Sequence, residues 1–199
     1  SEKNGMPFYF IDLRDNMKIY FRAYLEGISD TISPSWTSTS FIGRSEPVYT
    51  YTNAEREVSF NLKLFAQTKD ELNMIYVKLN RLTSLCYPRY LDSGNNATRM
   101  KPPLTKFRMG ELFGSNGKEM MGFIKSLSYT FPDESPWEIQ NGKRVPKYID
   151  VSIGYQVIHK NVPSHDFANG GTDSFYGINR DKDGVGNSTE HTAYQNLKD

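Results

Sequence analysis

The chain has 199 residues, 37% of them hydrophobic and 14% aromatic, with thirteen Tyr, twelve Phe and a mean hydropathy of −0.62. Twenty-four Lys and Arg against twenty-three Asp and Glu leave it nearly neutral, so its overall charge gives no support to non-specific attraction to nucleic-acid phosphates. The lean aliphatic content favours one domain with long arms over two domains; a single cysteine, Cys86, excludes an intramolecular disulfide, and no apolar run approaches the roughly 20 residues that span a bilayer.

In chain order, residues 7–13, PFYFIDL, and 17–28, MKIYFRAYLEGI, flank a polar turn at 14–16 and read as a β-hairpin. In the second run Ile19, Phe21, Ala23 and Leu25 share one face, and Lys18, Tyr20, Arg22, Tyr24 and Glu26 the other. Residues 29–47 are rich in Ser and Thr, carry Pro34 and Pro47, and predict a long loop, functional or disordered. Trp36 and Phe41 within it either anchor into a neighbouring surface or tuck back onto their own sheet. Residues 48–66 predict a strand, a turn around Asn53 and Ala54, and a second strand in which Val58, Phe60, Leu62 and Leu64 alternate with polar residues. Arg44 with Glu46, and Arg56 between Glu55 and Glu57, read either as ion pairs between subunits or as solvated surface charges.

Residues 68–86 carry the one sustained helical period, with Leu72, Ile75, Tyr76, Leu79, Leu82 and Cys86 on one stripe. Thr68 three residues before Glu71 has capping-box spacing, and Pro88 is the expected stop. On that stripe Cys86 reads as a buried packing residue. Residues 87–103 read as a turn-rich excursion, and 104–112 with 121–132 as a second hairpin whose later strand puts Phe123, Lys125, Leu127, Tyr129 and Phe131 on one face. A loop at 133–146 carries Trp137, and a last strand over 147–160 keeps Ile149, Val151, Ile153, Tyr155 and Val157 in phase. The polar, glycine-rich residues that follow cannot bury enough apolar surface to offset their ordering entropy. The expectation is a mainly β domain over 1–163, antiparallel with one helix, and an extended or disordered arm over 164–199. The opening Ser1 suggests a processed chain or a piece of a longer one, and without a signal-peptide core the reading is cytoplasmic in origin.

Catalytic chemistry finds little footing. His159, His165 and His191 accompany no nucleophile motif, and their spacing with Cys86 fits no common zinc site. Gly170 and Gly171 lack the strand and helix of a phosphate loop. The expectation is a protein that is not an enzyme and holds no cofactor. One metal motif stands out: Asn179, Asp181, Asp183, Gly184, Asn187 and Glu190 occupy positions 1, 3, 5, 6, 9 and 12 of an EF-hand-type calcium loop. Position 1 departs from the usual Asp, and neither flank reads as an amphipathic helix.

The text SPSWTSTSFIGRSEPVYTYTNAEREVSFNLKLFAQTKDELNMIYVKLNRL, followed by GFIKSLSYTFPDESPWEI and KYIDVSIGYQVIH, resembles baseplate and tail-tube-related proteins of contractile-tailed phages. It is similar to T4-like baseplate proteins that initiate or cap the tail tube and to LysM-linked hub proteins of simpler tails. The resemblance covers roughly residues 7–163 and implies an antiparallel β-sandwich or partial barrel with its helix outside. It also implies a virion protein at the junction of baseplate and tail tube, made in the host cytoplasm. Six subunits would close a ring that templates or caps the tube. The implied partners are copies of itself, the tail tube, the baseplate hub and other tail proteins. DNA would pass through a lumen without sequence-specific binding, and no membrane is involved. Trp36, Phe41, Arg44, Glu46 and Trp137 are the expected inter-subunit contacts, and Lys18, Tyr20, Arg22 and Tyr24 the expected lumen face. The reading from a different class is a β-sandwich binding module that uses the calcium-type loop.

Overall fold

The computed structural model describes residues 6–93, 97–114, 117–138, 144–159, 165–166 and 171–172. The fold is mainly antiparallel β with one helix, and its main sheet is open, in keeping with the sandwich or partial-barrel class. That sheet comprises β1 (Phe8–Asp12), β2 (Met17–Tyr20), β3 (Tyr24–Thr39), β4 (Val48–Phe65), β7 (Thr105–Met109), β8 (Met120–Thr130) and β11 (Tyr148–Val157), in the order β2-β1-β7-β8-β11-β4-β3. Short ribbons pair β5 (Arg89–Ser93) with β6 (Ala97–Lys101), β9 (Trp137–Glu138) with β10 (Val145–Pro146), and β12 (His165–Asp166) with β13 (Gly171–Thr172). The chain divides into two compact units, one of Ser1–Arg22, Tyr76–Phe123 and Ile158–Asp199, the other of Ala23–Ile75 and Ile124–Val157.

In the first unit β1 pairs antiparallel with β2 and β7, and all five of its residues are buried. Its core is aromatic: Phe8 and Phe10 pack edge to face, Phe10 stacks on Phe107 with centroids 5.2 Å apart, and Phe113 leans on Phe107. Rings supply more apolar area per residue than aliphatic chains, which is how a chain poor in aliphatics fills a core. In the second unit β11 pairs with β4 so that Ile149, Val151, Ile153 and Tyr155 lie opposite Leu64, Leu62, Phe60 and Val58. All eight are buried, and each such side chain contributes about 1.5–3 kcal/mol of transfer free energy.

The helix α1 runs Lys69–Ser84. Its start follows the capping-box reading: the Glu71 amide donates to Thr68 Oγ1 at 3.3 Å, while the Glu71 carboxylate accepts from the Gln67 amide rather than from that of Thr68. It ends four residues before Pro88, so proline is not its stop. The Arg14 guanidinium instead reaches the Ser84 and Tyr87 carbonyls, satisfying acceptors that a helix end leaves open. Leu85 joins the buried set with Leu72, Leu79 and Leu82, whereas Cys86 is half-buried, and that burial pushes its thiol pKa up.

Other expectations are corrected as well. Most of residues 29–47 is strand: β3 continues to Thr39, because alternating Ser and β-branched Thr suit an extended ladder even without burial. No turn interrupts β4 at Asn53 and Ala54; the irregularity there is a bulge that leaves Thr52 without an opposite residue between Ser35 and Trp36. The run 17–28 is broken at 21–23, where the chain leaves β1's partner lane and becomes β4's. Residues 87–103 contain the β5–β6 ribbon. On β8 the buried positions are Gly122 and Ile124, on the face opposite the expected aromatic one at that end.

Candidate assembly surface

The apolar face of β4 does not stop where its partner β11 stops. The β11 ladder ends at Gln156 opposite Glu57, and among the described residues β4 pairs with β3 alone from Arg56 out to Val48, forming a long two-stranded arm. Directly opposed residues share a face, and successive pairs alternate. The face that buries Val58 therefore continues through Ile32 with Arg56 and Pro34 with Ala54. Past the Thr52 bulge it continues through Trp36 with Tyr51 and Ser38 with Tyr49. The opposite face carries Thr31 with Glu57, Ser33 with Glu55, Ser35 with Asn53 and Thr37 with Thr50. The arm is amphipathic, one side apolar and aromatic, the other hydroxyl-bearing and acidic.

The apolar side lies in water: Ile32 is 54% exposed, Trp36 59%, Tyr51 51% and Tyr49 64%. Among the described residues Trp36 sets its ring against the edge of Tyr51, at 5.2 Å between centroids and 73° between planes, and is exposed instead of buried in a core. Side chains of this size exposed on one ribbon face form the kind of contiguous patch that marks an interaction surface. On the polar side the Thr37 and Thr52 hydroxyls bond at 3.2 Å.

The arm's root is fixed by charge. Arg56 is buried on the apolar face and holds Asp30 in a two-pronged contact, with Nε at 3.0 Å and a terminal nitrogen at 2.7 Å. Neither reading offered for Arg56 from its neighbours Glu55 and Glu57 is the one found. Two bulges shape the arm. One is at Gly27, whose φ of +60° suits glycine. The other, at Thr52, shifts the parity of β4, so that even-numbered residues face the core at 54–64 and odd-numbered ones at 49 and 51. That shift hid Tyr49 and Tyr51 from a period-two reading, although both are strong strand formers in the run that leads into Val58.

The expected contact residues divide accordingly. Trp36 lies on the apolar face. Phe41, Arg44 and Glu46 are exposed in the connection over 40–47, a turn in which the Arg44 amide donates to the Phe41 carbonyl at 3.2 Å. Trp137 is exposed on the separate β9–β10 ribbon, so the structure does not join it to the arm. Lys18, Tyr20 and Arg22 are exposed in the first unit, with the Lys18 ammonium 5.1 Å from the Tyr9 ring centre. Tyr24 belongs to the second unit and stacks on Phe65 at 5.7 Å. The calcium-type positions Asn179, Asp181, Asp183, Asn187 and Glu190 lie outside the described residues, among which no cluster of three or more His, Cys, Asp or Glu is placed to hold a metal.

A second ionic cluster has no local signature in the sequence, because Arg81 lies 69 residues from Asp12. Asp12, buried at the end of β1, accepts from Arg14 at 2.9 Å and from Arg81 of the helix at 3.0 Å, and Arg81 also bonds Asp15. Burial alone would raise the Asp12 carboxyl, and the Arg14 and Arg81 guanidiniums more than offset it, holding the pKa below its ordinary value. Its work is to tie the helix end to the β1–β2 turn. Among the described residues no helix is long and apolar enough to cross a membrane. No family model matches the chain, and no curated protein is significantly similar to it.

Proposed function

We propose that the protein is a non-enzymatic structural subunit that assembles with copies of itself through the β3–β4 arm. In the setting implied by the sequence resemblance it acts at the junction of phage baseplate and tail tube, closing a six-membered ring that templates or caps the tube. The observation that carries the reading is the apolar face running from the buried core out along the arm into water. Burying that face stabilises an assembly and contributes nothing to the isolated chain. Mechanism in such a subunit is geometric: one face of the ring is held by the hub and the other sets the position of the first tube ring. The open sheet supports the same reading, since an unclosed sheet leaves edge strands that a ring would cover. Arg22, Lys18 and Tyr20 supply the polar, partly cationic surface suited to a lumen through which DNA slides.

Light scattering across a concentration series, with negative-stain images of the same samples, tests the proposal. Rings that vanish in Trp36→Ala while the circular dichroism spectrum is unchanged are the expected result. A wild-type chain that remains monomeric at every concentration would overturn it.

A further inference from the structure

The arm has two long edges, and they are not equivalent. The Arg56 carbonyl turns away from β3 and accepts from Gln156 Nε2 at 3.1 Å, the last contact that β11 gives this side of β4. In an antiparallel ladder every second residue points the same way, so Ala54 also presents its N–H and C=O to the lane that β11 has left. Pro34 lies opposite Ala54, and its ring nitrogen therefore faces the outer edge of β3, where it removes a donor. An added strand is disfavoured along β3 and admitted along β4.

The β5–β6 ribbon has the complementary character. Its five residue pairs fit within the eight residues of β4, 48–55, that lie beyond Arg56. Tyr90 lies opposite Met100 on one face, and both are more than 60% exposed. Arg89 lies opposite Lys101 on the other face, again exposed. The arm thus offers an apolar face and an acidic one bearing Glu55, while the Arg89–Lys101 end of the ribbon offers an apolar pair on one face and a basic pair on the other. Set edge to edge at that end, the Tyr90–Met100 pair meets the apolar face and the Arg89–Lys101 pair the acidic one. A two-stranded ribbon is marginal by itself, so both elements gain from a third and fourth strand.

We infer that the β5–β6 ribbon of one copy adds along the open edge of β4 in the next, a head-to-tail contact in which Arg89 and Lys101 face Glu55 and the Tyr90–Met100 pair extends the apolar face. The inference rests on the assembly reading above and names the surface that the arm engages. A head-to-tail contact uses two different patches, so it propagates around a ring instead of ending at a dimer.

The test is complementation by mixing. An arm-defective variant, Ala54→Pro, loses the outward N–H without changing charge; a ribbon-defective variant, Arg89→Glu with Lys101→Glu, reverses the basic face at exposed positions. Each alone is expected to raise the concentration for half-assembly by more than about tenfold, which is about 1.4 kcal/mol. Mixed in equal amounts, they are expected to form a heterodimer that grows no further, because one intact arm meets one intact ribbon. Glu55→Lys placed in the ribbon-defective chain is expected to restore assembly. A ribbon-defective variant that assembles as well as an assembling wild type would overturn this contact and leave the assembly reading standing. Two defective variants that stay separate on mixing would overturn the contact in the same way. A wild type that never associates would overturn both.

Discussion

At its root and along its arm, β4 presents one continuous face with opposite fates. Over 58–64, flanked by β11 and β3, its Val58, Phe60, Leu62 and Leu64 are buried. Over 49–54, paired with β3 alone, the same face leaves Tyr49 and Tyr51 in water. Residue type does not separate the two regions, since both are strand formers with apolar side chains. The number of flanking strands does: 58–64 has a neighbour on each side and 49–54 on one side, and a two-stranded ribbon is marginal by itself. The root is accounted for by the chain's own stability, and the arm by the proposed assembly. The largest effect that sharpens this contrast is expected from Phe60→Ala, which should cost about 3–5 kcal/mol in urea unfolding, as cavities in packed cores do. A loss below about 1 kcal/mol would mean the root is not a packed core.

The boundary between the two regions should respond next. Asp30→Ala removes the carboxylate that Arg56 grips, and breaking a buried pair of this kind costs about 3 kcal/mol. Gly27→Ala forces a β-carbon into a left-handed backbone position 3.1 Å from the Asn61 amide, and about 1–2 kcal/mol is expected from the backbone strain. The Asp12 cluster serves as a control in the other unit. Its depressed carboxyl gives stability that is fully present above the unfolded value near pH 3.9 and is lost as pH falls through the lower folded value. Urea midpoints should therefore fall on acidification, with a shallower slope in Asp12→Asn. Equal slopes would remove Asp12 from the account.

How much of this was legible depended on whether burial writes a period into the sequence. In β11 and the root of β4, alternation set by one covered face could be read directly, and the helix stripe with its Thr68 start likewise. The arm could not be read so easily. Its Ser- and Thr-rich strand is held by ladder hydrogen bonds and not by burial, and the Thr52 bulge moved its aromatics out of phase with Val58. Arg56 looked solvated because Glu55 and Glu57 flank it, whereas its partner Asp30 lies across the hairpin at a separation of 26 residues. Pro88 misleads about the helix end for the same reason: local sequence offers a proline, and the group that satisfies the end, Arg14, comes from far along the chain.

The smallest expected effect on stability is the most informative. Tyr49→Ser removes an exposed ring from the arm's apolar face, and an exposed substitution away from caps, strain and buried pairs changes folding free energy by no more than about 0.5 kcal/mol. Urea unfolding of the monomer should match wild type, while the concentration needed for half-assembly should rise. If Tyr49→Ser instead unfolds the chain early, the arm packs onto its own protein and the distinction between root and arm collapses. If stability and assembly are both unchanged, the outer end of the arm is outside the contact, which must then be confined to the stretch from Ile32 to Tyr51 nearer the Arg56 clamp.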